Sequence, residues 1–278
     1  MDSLIPERHR NDYIKFLGTA GARFVVSKQL RASGGLWFSL GGKNILVDPG
    51  PGSLLRCLKS RPKMDPVKLD GLILTHRHID HSNDINILVE AMTNGGREQK
   101  GFLLAPVDTL EGDDPVVQKY IHRFLEKIEL LQEGKIFHNQ SFSLEVSMPH
   151  AHPVETYGLK FKLPYGTLSL VSDTAFFPSL IDYYKDSDIL IINVVIYRDH
   201  IPENGQNKIY HLNYRQAKEL IYSIKPSLAV LTHFGMDMLE HKPHLLAQQT
   251  QEELGIKVIA ANDGMKLDLY QLFSTAFK

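Results

Sequence analysis

The segment Leu74–Asn83, which reads LTHRHIDHSN, most constrains what this chain can fold into. A short apolar run, Gly71–Leu74, leads into it, and such a run bounded by loop residues predicts a buried strand. The segment then places four residues of metal-binding types within six positions: His76, His78, Asp80 and His81. Because these side chains leave one compact turn at a strand end, we expect them to converge.

Further candidate ligands recur after strand-like runs downstream. They are His150 and His152 in MPHAHP, Asp173 in LVSDT, and His233 in VLTHFG. Imidazole and carboxylate groups suit Zn²⁺ and, less selectively, iron or manganese. This recurrence argues against the alternative of a surface loop that is merely rich in histidine. The sequence therefore predicts a metal site assembled from several strand ends.

Strand-like and helix-like runs alternate along both halves of the chain. A hairpin is predicted from Gly35–Leu40 and Asn44–Val47 around Gly41-Gly42, and Arg23–Ser27 is predicted as a strand. Helices are predicted from about Asn213 to Ile224 and over Pro243–Leu254. We expect one α+β domain over residues 1–278, with two sheets packed face to face and helices outside.

A helical insert is predicted at about residues 93–135. Asp114 suits an N-cap and Pro115 the first helical position, and apolar residues from Val117 to Leu131 follow helical spacing until Gly134. The simplest interpretation of this apolar stripe is core packing. Its place between two groups of candidate ligands would also allow it to form a wall of a substrate cleft.

The ordered motifs resemble those of the metallo-β-lactamase superfamily. HxHxDH is followed in order by His, Asp and His at strand ends, and Asp48 in LVDPGPG matches the superfamily's first motif, an Asp that supports the metal loop. The match runs from about Leu17 to Gly235. It implies a four-layer αββα sandwich with metals at one edge, between the sheets.

The resemblance also implies which residues bind two divalent metals. One ion would be held by His76, His78 and His152, and the other by Asp80, His81 and His233, with Asp173 bridging. His152 is preferred to His150 because HPVETYG resembles the family's histidine followed by a glycine six residues later, here Gly158. Zn²⁺ is the first expectation, and Mn²⁺ and Fe²⁺ are alternatives. Two such ions would lower the pKa of a bridging water and generate the nucleophile.

Two residues are predicted to act in catalysis. Asp80, which is also a candidate metal ligand, is one of them, and His211 would protonate the leaving group. His211 stands in HLNYRQAKELI, which resembles a segment of the tRNase Z group where that histidine is the general acid. The family's His-Glu pair on the preceding strand is absent, since this chain reads IINVVIY with Asn193 and Val195. A purely local role at the helix entry is the alternative for His211.

The substrate prediction depends on the branch of the superfamily. FLGTAG, SDT and HLNYRQA look closest to the tRNase Z and cyclic-phosphodiesterase branch. Only 21 positions separate His152 from Asp173, which leaves no room for the long basic arm of tRNA-processing members. We therefore expect a small or cyclic phosphodiester as the substrate. RNA cleavage, hydrolysis of a lactone, ester, thioester or β-lactam, iron-dependent redox chemistry and simple metal-stabilised binding are the alternatives.

Composition narrows the partners and the compartment. The 278 residues carry a formal net charge of −1, which argues against a general nucleic-acid clamp. The single cysteine, Cys57, allows no internal disulfide, and the chain begins without the apolar core of a signal peptide. We expect a cytoplasmic protein that does not bind membranes and binds a small anionic substrate. A homodimer is compatible with the sequence.

Overall fold

The computed structural model describes residues 5–198 and 210–276. In chain order, its strands are β1 (Tyr13–Phe16), β2 (Leu36–Leu40), β3 (Lys43–Val47), β4 (Gly71–Ile73), β5 (Phe102–Ala105), β6 (Lys127–Leu130), β7 (Ile136–His138), β8 (Ser143–Pro149), β9 (Tyr157–Leu163), β10 (Gly166–Val171), β11 (Ile189–Asn193), β12 (Leu228–Thr232), β13 (Val258–Ala260) and β14 (Lys266–Asp268). Its α-helices are α1 (Ala22–Ser27), α2 (Ser53–Lys59), α3 (Ile79–Ser82), α4 (Ile85–Met92), α5 (Val107–Leu110), α6 (Ser179–Tyr184), α7 (Tyr214–Ile224), α8 (Met236–Glu240), α9 (Pro243–Leu254) and α10 (Leu269–Ala276). Short 3₁₀ helices occur at Glu7–His9, Pro66–Lys68 and Lys119–Phe124.

The strands form two seven-stranded mixed sheets. The first has the order β14-β1-β2-β3-β4-β5-β6, and the second has the order β13-β12-β11-β10-β9-β8-β7. In the first sheet, β3 to β6 run parallel and the other pairings are antiparallel. In the second sheet, β10 to β13 run parallel. Each sheet therefore combines a parallel half with an antiparallel half.

Alternation along the strands produces the layers. In β2, Leu36, Phe38 and Leu40 join the core between the two sheets, whereas Trp37 joins a second core on the outer face of the first sheet. In β12, Val230 faces the inner core and Leu231 joins a third core under the helices of the second sheet. Three apolar cores separate four layers, so the predicted α+β fold with an αββα sandwich is confirmed.

Several predicted elements are confirmed. The hairpin forms between β2 and β3, with Leu40 paired to Lys43 across the glycine turn. Helix α7 begins after Asn213 and ends at Ile224, and α9 spans the predicted residues. In α7 the Asn213 side chain accepts a hydrogen bond from the Gln216 backbone N–H, and the Gln216 side chain accepts one from the Asn213 N–H. This reciprocal capping box explains why a local signal was sufficient there.

The helix predicted from Asp114 to Leu131 is wrong. The segment contains only the 3₁₀ helix at Lys119–Phe124, and its end becomes strand β6, which pairs in parallel with β5. Its apolar side chains, including Val117, Ile121 and Leu125, still pack into the outer core of the first sheet. Core packing is therefore confirmed for these three side chains but not for Tyr120 of the same stripe, which is 47% exposed. Strand pairing at the sheet edge prevailed over helical spacing.

The strand predicted at Arg23–Ser27 is also wrong. These residues belong to helix α1, in which Val25 is buried and Phe24 is exposed. The run is too short for periodicity to separate a strand from a helix. In the described ranges, no helix is both long and apolar enough to span a bilayer.

Candidate metal centre

The candidate ligands gather at one edge of the sandwich because they follow strands that end there. His76 comes after β4 in the first sheet. In the second sheet, His152, Asp173 and His233 come after β8, β10 and β12. Parallel strands end at the same sheet edge, so the topology brings together residues that are far apart in the sequence.

The donor atoms form three overlapping groups. Within each group, one donor atom from each residue lies within 4.8 Å of the others. The groups are His76/His78/His152, His76/His81/Asp173 and Asp80/His81/His233. The first and third groups share no residue, and the second contains His76 of the first and His81 of the third together with Asp173. The arrangement thus contains every one of the seven ligands predicted from the sequence.

Distances between the donor atoms suit shared ions. His152 Nε2 lies 3.0 Å from His78 Nδ1, and His81 Nε2 lies 3.3 Å from His233 Nε2. Two nitrogens bound tetrahedrally to one Zn²⁺ at about 2.0–2.1 Å lie about 3.3 Å apart. In addition, the buried Nε2 of His76 has no hydrogen-bond partner among the residues that the structure describes. Such an orphaned donor atom is expected where a metal takes the place of a hydrogen bond.

The opposite ring nitrogens are held by neighbouring oxygens. His81 Nδ1 lies 2.9 Å from Asp48 Oδ2, and His152 Nδ1 lies 2.9 Å from the backbone oxygen of Tyr210. An Nδ1–H donated to these oxygens leaves Nε2 as the acceptor that a metal requires. The protein therefore orients these two rings toward the centre of the site.

Asp48 connects the metal loop to both sheets. Its carboxylate accepts hydrogen bonds from the Thr75 backbone N–H and hydroxyl, each at 2.7 Å. The Ser172 hydroxyl, which follows β10 in the second sheet, donates to Thr75 Oγ1 at 2.8 Å. Asp48 has a left-handed backbone, with φ of 52°. This network fixes the turn that carries His76, in keeping with the supporting role that its motif predicts.

The pKa values of two neighbouring histidines in the cluster are shifted in opposite directions. Burial, together with His81, holds the pKa of His76 well below its usual value. Burial also lowers the pKa of His81, but the carboxylates of Asp173, Asp80 and Asp48 outweigh it and raise that pKa well above the usual value. A metal binds neutral imidazole, so binding would release a proton from His81.

Asp173 lies at the centre of these charges. Burial alone would raise its pKa, but His233, His211 and His81 hold it well below the usual value. Its Oδ1 accepts a hydrogen bond from Asn193 Nδ2 at 2.9 Å. In the sequence, Asn193 was noted only as a departure from the family's His-Glu pair. Its position at the end of the buried strand β11 could have predicted this hydrogen bond.

His211 lies against Asp173 but is not hydrogen bonded to it. Its Nδ1 lies 3.4 Å from Asp173 Oδ2, and within residues 5–198 and 210–276 this buried nitrogen has no hydrogen-bond partner. Burial lowers the pKa of His211, and Asp173 partly opposes the shift. The topology thus brings His211 to the same edge as the candidate ligands.

His150 lies behind the site. It is buried, with Nε2 at 3.1 Å from the Tyr184 hydroxyl and Nδ1 at 3.3 Å from the backbone oxygen of Asp173. Burial lowers the pKa of His150 to about 4. Gly158 allows this packing, because a Cβ there would lie 1.8 Å from Tyr184 Oη. His150 therefore supports the loop of Asp173, and His152 is the residue that faces the centre.

An open cleft of about 540 Å³ leads to the donor atoms. His78, Asp80, His152, Asp173 and His211 contribute to its lining. Its remaining walls include Phe24 and Ile79, which the sequence did not single out. A small substrate can therefore reach the side chains from solvent.

Comparisons with known proteins agree with this geometry. Residues 43–234 match the family model of the beta-lactamase superfamily domain. The chain is 32% identical over 263 residues to protein MJ1374 of Methanocaldococcus jannaschii, covering 92% of this chain and 94% of that protein.

Solved structures share the fold. The metallo-β-lactamase fold protein YhfI of Bacillus subtilis superposes with a TM-score of 0.75 at 21% identity, covering 92% of this chain and 99% of that one. The short form of human tRNase Z superposes with a TM-score of 0.64 at 16% identity, covering 92% and 98%. The chain belongs to the metallo-β-lactamase superfamily.

Proposed function

We propose that the protein is a two-metal phosphodiesterase acting on small or cyclic phosphodiesters. The observation that carries the proposal is the pair of separate ligand groups, His76/His78/His152 and Asp80/His81/His233, with Asp173 between them. Zn²⁺ is the first candidate for both ions because the donors are imidazole and carboxylate. When bound, two such ions would activate water and offset negative charge on the phosphoryl oxygens.

The side chains supply positioning and a proton. Asp80 and Asp173 would contribute negative charge toward holding two dications. His211, at the cleft wall beside Asp173, is proposed to donate a proton from its ring to the departing alkoxide. The bound phosphodiester carries negative charge, which favours the protonated form of His211 and so opposes the effect of its burial.

Small substrates are favoured over tRNA. The connection from His152 to Asp173 consists of β9, β10 and short loops. The long basic arm of tRNA-processing members would have to be inserted in this connection. Human tRNase Z shares the fold, and its name describes an enzyme that cleaves tRNA, which is hydrolysis of a phosphodiester. This relationship supports phosphodiester chemistry at the candidate site. RNA cleavage is therefore the second candidate, because the cleft is open. Hydrolysis of a lactone or ester by the same residues is the third.

A substrate panel tests the proposal. We expect zinc- or manganese-loaded protein to hydrolyse bis-p-nitrophenyl phosphate faster than a lactone or nitrocefin. Replacing a proposed ligand, His76→Ala, should abolish turnover, whereas His138→Ala, an exposed histidine on β7, should not change it. Preferred turnover of the lactone or nitrocefin would overturn the phosphodiesterase assignment. Efficient cleavage of a precursor tRNA at its 3′ trailer would overturn the preference for small substrates.

A further inference from the structure

Two large apolar side chains stand exposed at the mouth of the cleft. Phe24 on α1 is 66% exposed and Ile79 on α3 is 68% exposed, the two highest values among the large hydrophobic residues described. Both line the cleft that contains the candidate ligands. Isolated exposed apolar residues are common on protein surfaces, but two that line the same concave site require an explanation.

The two helices hold this pair in a fixed place. α1 follows Gly21, whose N–H donates to the backbone oxygen of Phe234 at 3.0 Å. Phe234 is the residue after the candidate ligand His233. Gly21 packs so closely there that a Cβ would lie 2.2 Å from the backbone oxygen of His233. Ile79 stands between His78 and Asp80 in the metal loop. The apolar pair is therefore attached to the same loops as the ligands.

The positive charge of Arg23, next to Phe24, indicates the kind of group that this part of the cleft would bind. Arg23 also lines the cleft, is exposed, and forms no ion pair with a carboxylate of the described residues. A flat aromatic face with an arginine beside it suits a planar ring that carries a negatively charged group. Base–aromatic stacking is the common form of this contact in nucleotide-binding proteins.

We propose that Phe24 and Ile79 form a subsite for a planar aromatic substituent of the substrate, a nucleobase, with its phosphodiester placed over the ligand cluster. This inference rests on the proposed function, since it names the substrate class of that site. Phe24 would stack on the ring, Ile79 would cover its edge, and Arg23 would lie near the phosphate. A nucleoside cyclic phosphate satisfies all three contacts.

Two matched substrates test the subsite. A ribonucleoside 2′,3′-cyclic phosphate and glycerol 1,2-cyclic phosphate share the five-membered cyclic ester but differ in the base. We expect Phe24→Ala to lower the ratio of their kcat/KM values about tenfold, the loss of one modest stacking contact. Phe24→Leu should lower it nearly as much, because leucine keeps the apolar area but has no flat ring. The control Leu55→Ala, 53% exposed on α2 and outside the cleft, should leave both kcat/KM values unchanged.

Two results for the ratio of kcat/KM values would contradict this inference. A ratio within about twofold of the wild-type value in Phe24→Ala would overturn the subsite. A wild-type ratio in Phe24→Leu would overturn the aromatic occupant and indicate an alkyl group instead. Metal content is measured for each variant, so that a loss of the ligand cluster is not mistaken for a loss of stacking.

A binding measurement separates this inference from the proposed function. Saturation-transfer NMR on zinc-loaded protein should show transfer to the adenine protons of AMP, and Phe24→Ala should reduce it strongly. Ribose 5-phosphate, which lacks the base, should respond equally in both proteins. If neither cyclic phosphate is hydrolysed but this pattern holds, the phosphodiesterase proposal fails and the subsite stands. Equal transfer to AMP in wild type and Phe24→Ala overturns the subsite.

Discussion

At the scale of single residues, Asp173 has contacts with both groups of candidate ligands. Its Oδ2 lies 3.5 Å from His81 Nε2 and 3.9 Å from His76 Nε2, and its Oδ1 lies 3.5 Å from His233 Nε2. We expect the wild-type protein to bind about two metal equivalents, and Asp173→Ala to bind fewer and to lose activity. Elemental analysis after zinc saturation measures both. Asp182→Ala, which removes an exposed carboxylate on α6, should bind as much metal as the wild type.

The paired site would be contradicted by one equivalent or less in the saturated wild-type protein. Full metal content in Asp173→Ala would contradict the bridging role alone, because the other six ligands would then be sufficient.

We proposed that His211 protonates the leaving group. A positioned general acid contributes about 10²- to 10⁴-fold, so His211→Ala should lower kcat by about that factor on an alkyl phosphodiester. The loss should be smaller on a p-nitrophenyl ester, whose leaving group is stable as an anion. Steady-state kinetics on both esters, with metal content measured alongside, check this.

Other outcomes would give His211 a different role. Equal losses on both esters would indicate substrate positioning, and a loss of metal would make His211 a ligand. Unchanged activity on both would show that another group or solvent donates the proton. His138→Ala is again the matched control, as it removes an exposed histidine from outside the cleft.

At the scale of elements, helix α7 connects local sequence to the site. Its capping box starts at Asn213, two residues after His211. Removing an Asn N-cap costs about 0.5–2 kcal/mol, so Asn213→Ala should lower the free energy of unfolding by about 1 kcal/mol. Urea denaturation monitored by circular dichroism measures the difference. Tyr222→Ala on the exposed face of the same helix should change it by less than about 0.5 kcal/mol. Equal stability of Asn213→Ala and wild type would show that the cap contributes nothing.

At the scale of the whole molecule, the candidate ligands come from both sheets. His76, after β4, belongs to the first sheet, and Asp173, after β10, belongs to the second. Metal bound between them would favour the packed state over the unfolded chain. At about 100 times its Kd, a single ligand adds about 2.7 kcal/mol. For a domain of this size, EDTA should therefore lower Tm by about 5 °C or more.

Scanning calorimetry with and without EDTA measures this shift, and excess Zn²⁺ should restore the original Tm. The shift should be smaller in Asp173→Ala, which is expected to hold less metal. An identical Tm in chelated and zinc-loaded protein would show that the site does not connect the sheets energetically.

The set of candidate ligands could be predicted from the sequence because residue types and their order along the chain are local properties. The HxHxDH turn and the three later motifs each follow a strand, and the structure brings all seven residues to one edge. The same holds for α7, where Asn213 and Gln216 satisfy each other's backbone within one turn. Such signals need no distant partner.

The wrong predictions lie where distant partners decide the conformation. Lys127–Leu130 is a strand because β5 offers unpaired backbone groups beside it, and no local pattern of apolar residues contains that information. Likewise α1 and its exposed Phe24 are placed by contacts with the loop of His233. Residue types therefore predicted the candidate ligands, and short-range hydrogen bonds set the start of α7. Only the packing of two sheets decided the edge strand, the cleft and its apolar wall, because those depend on contacts between residues far apart in the chain.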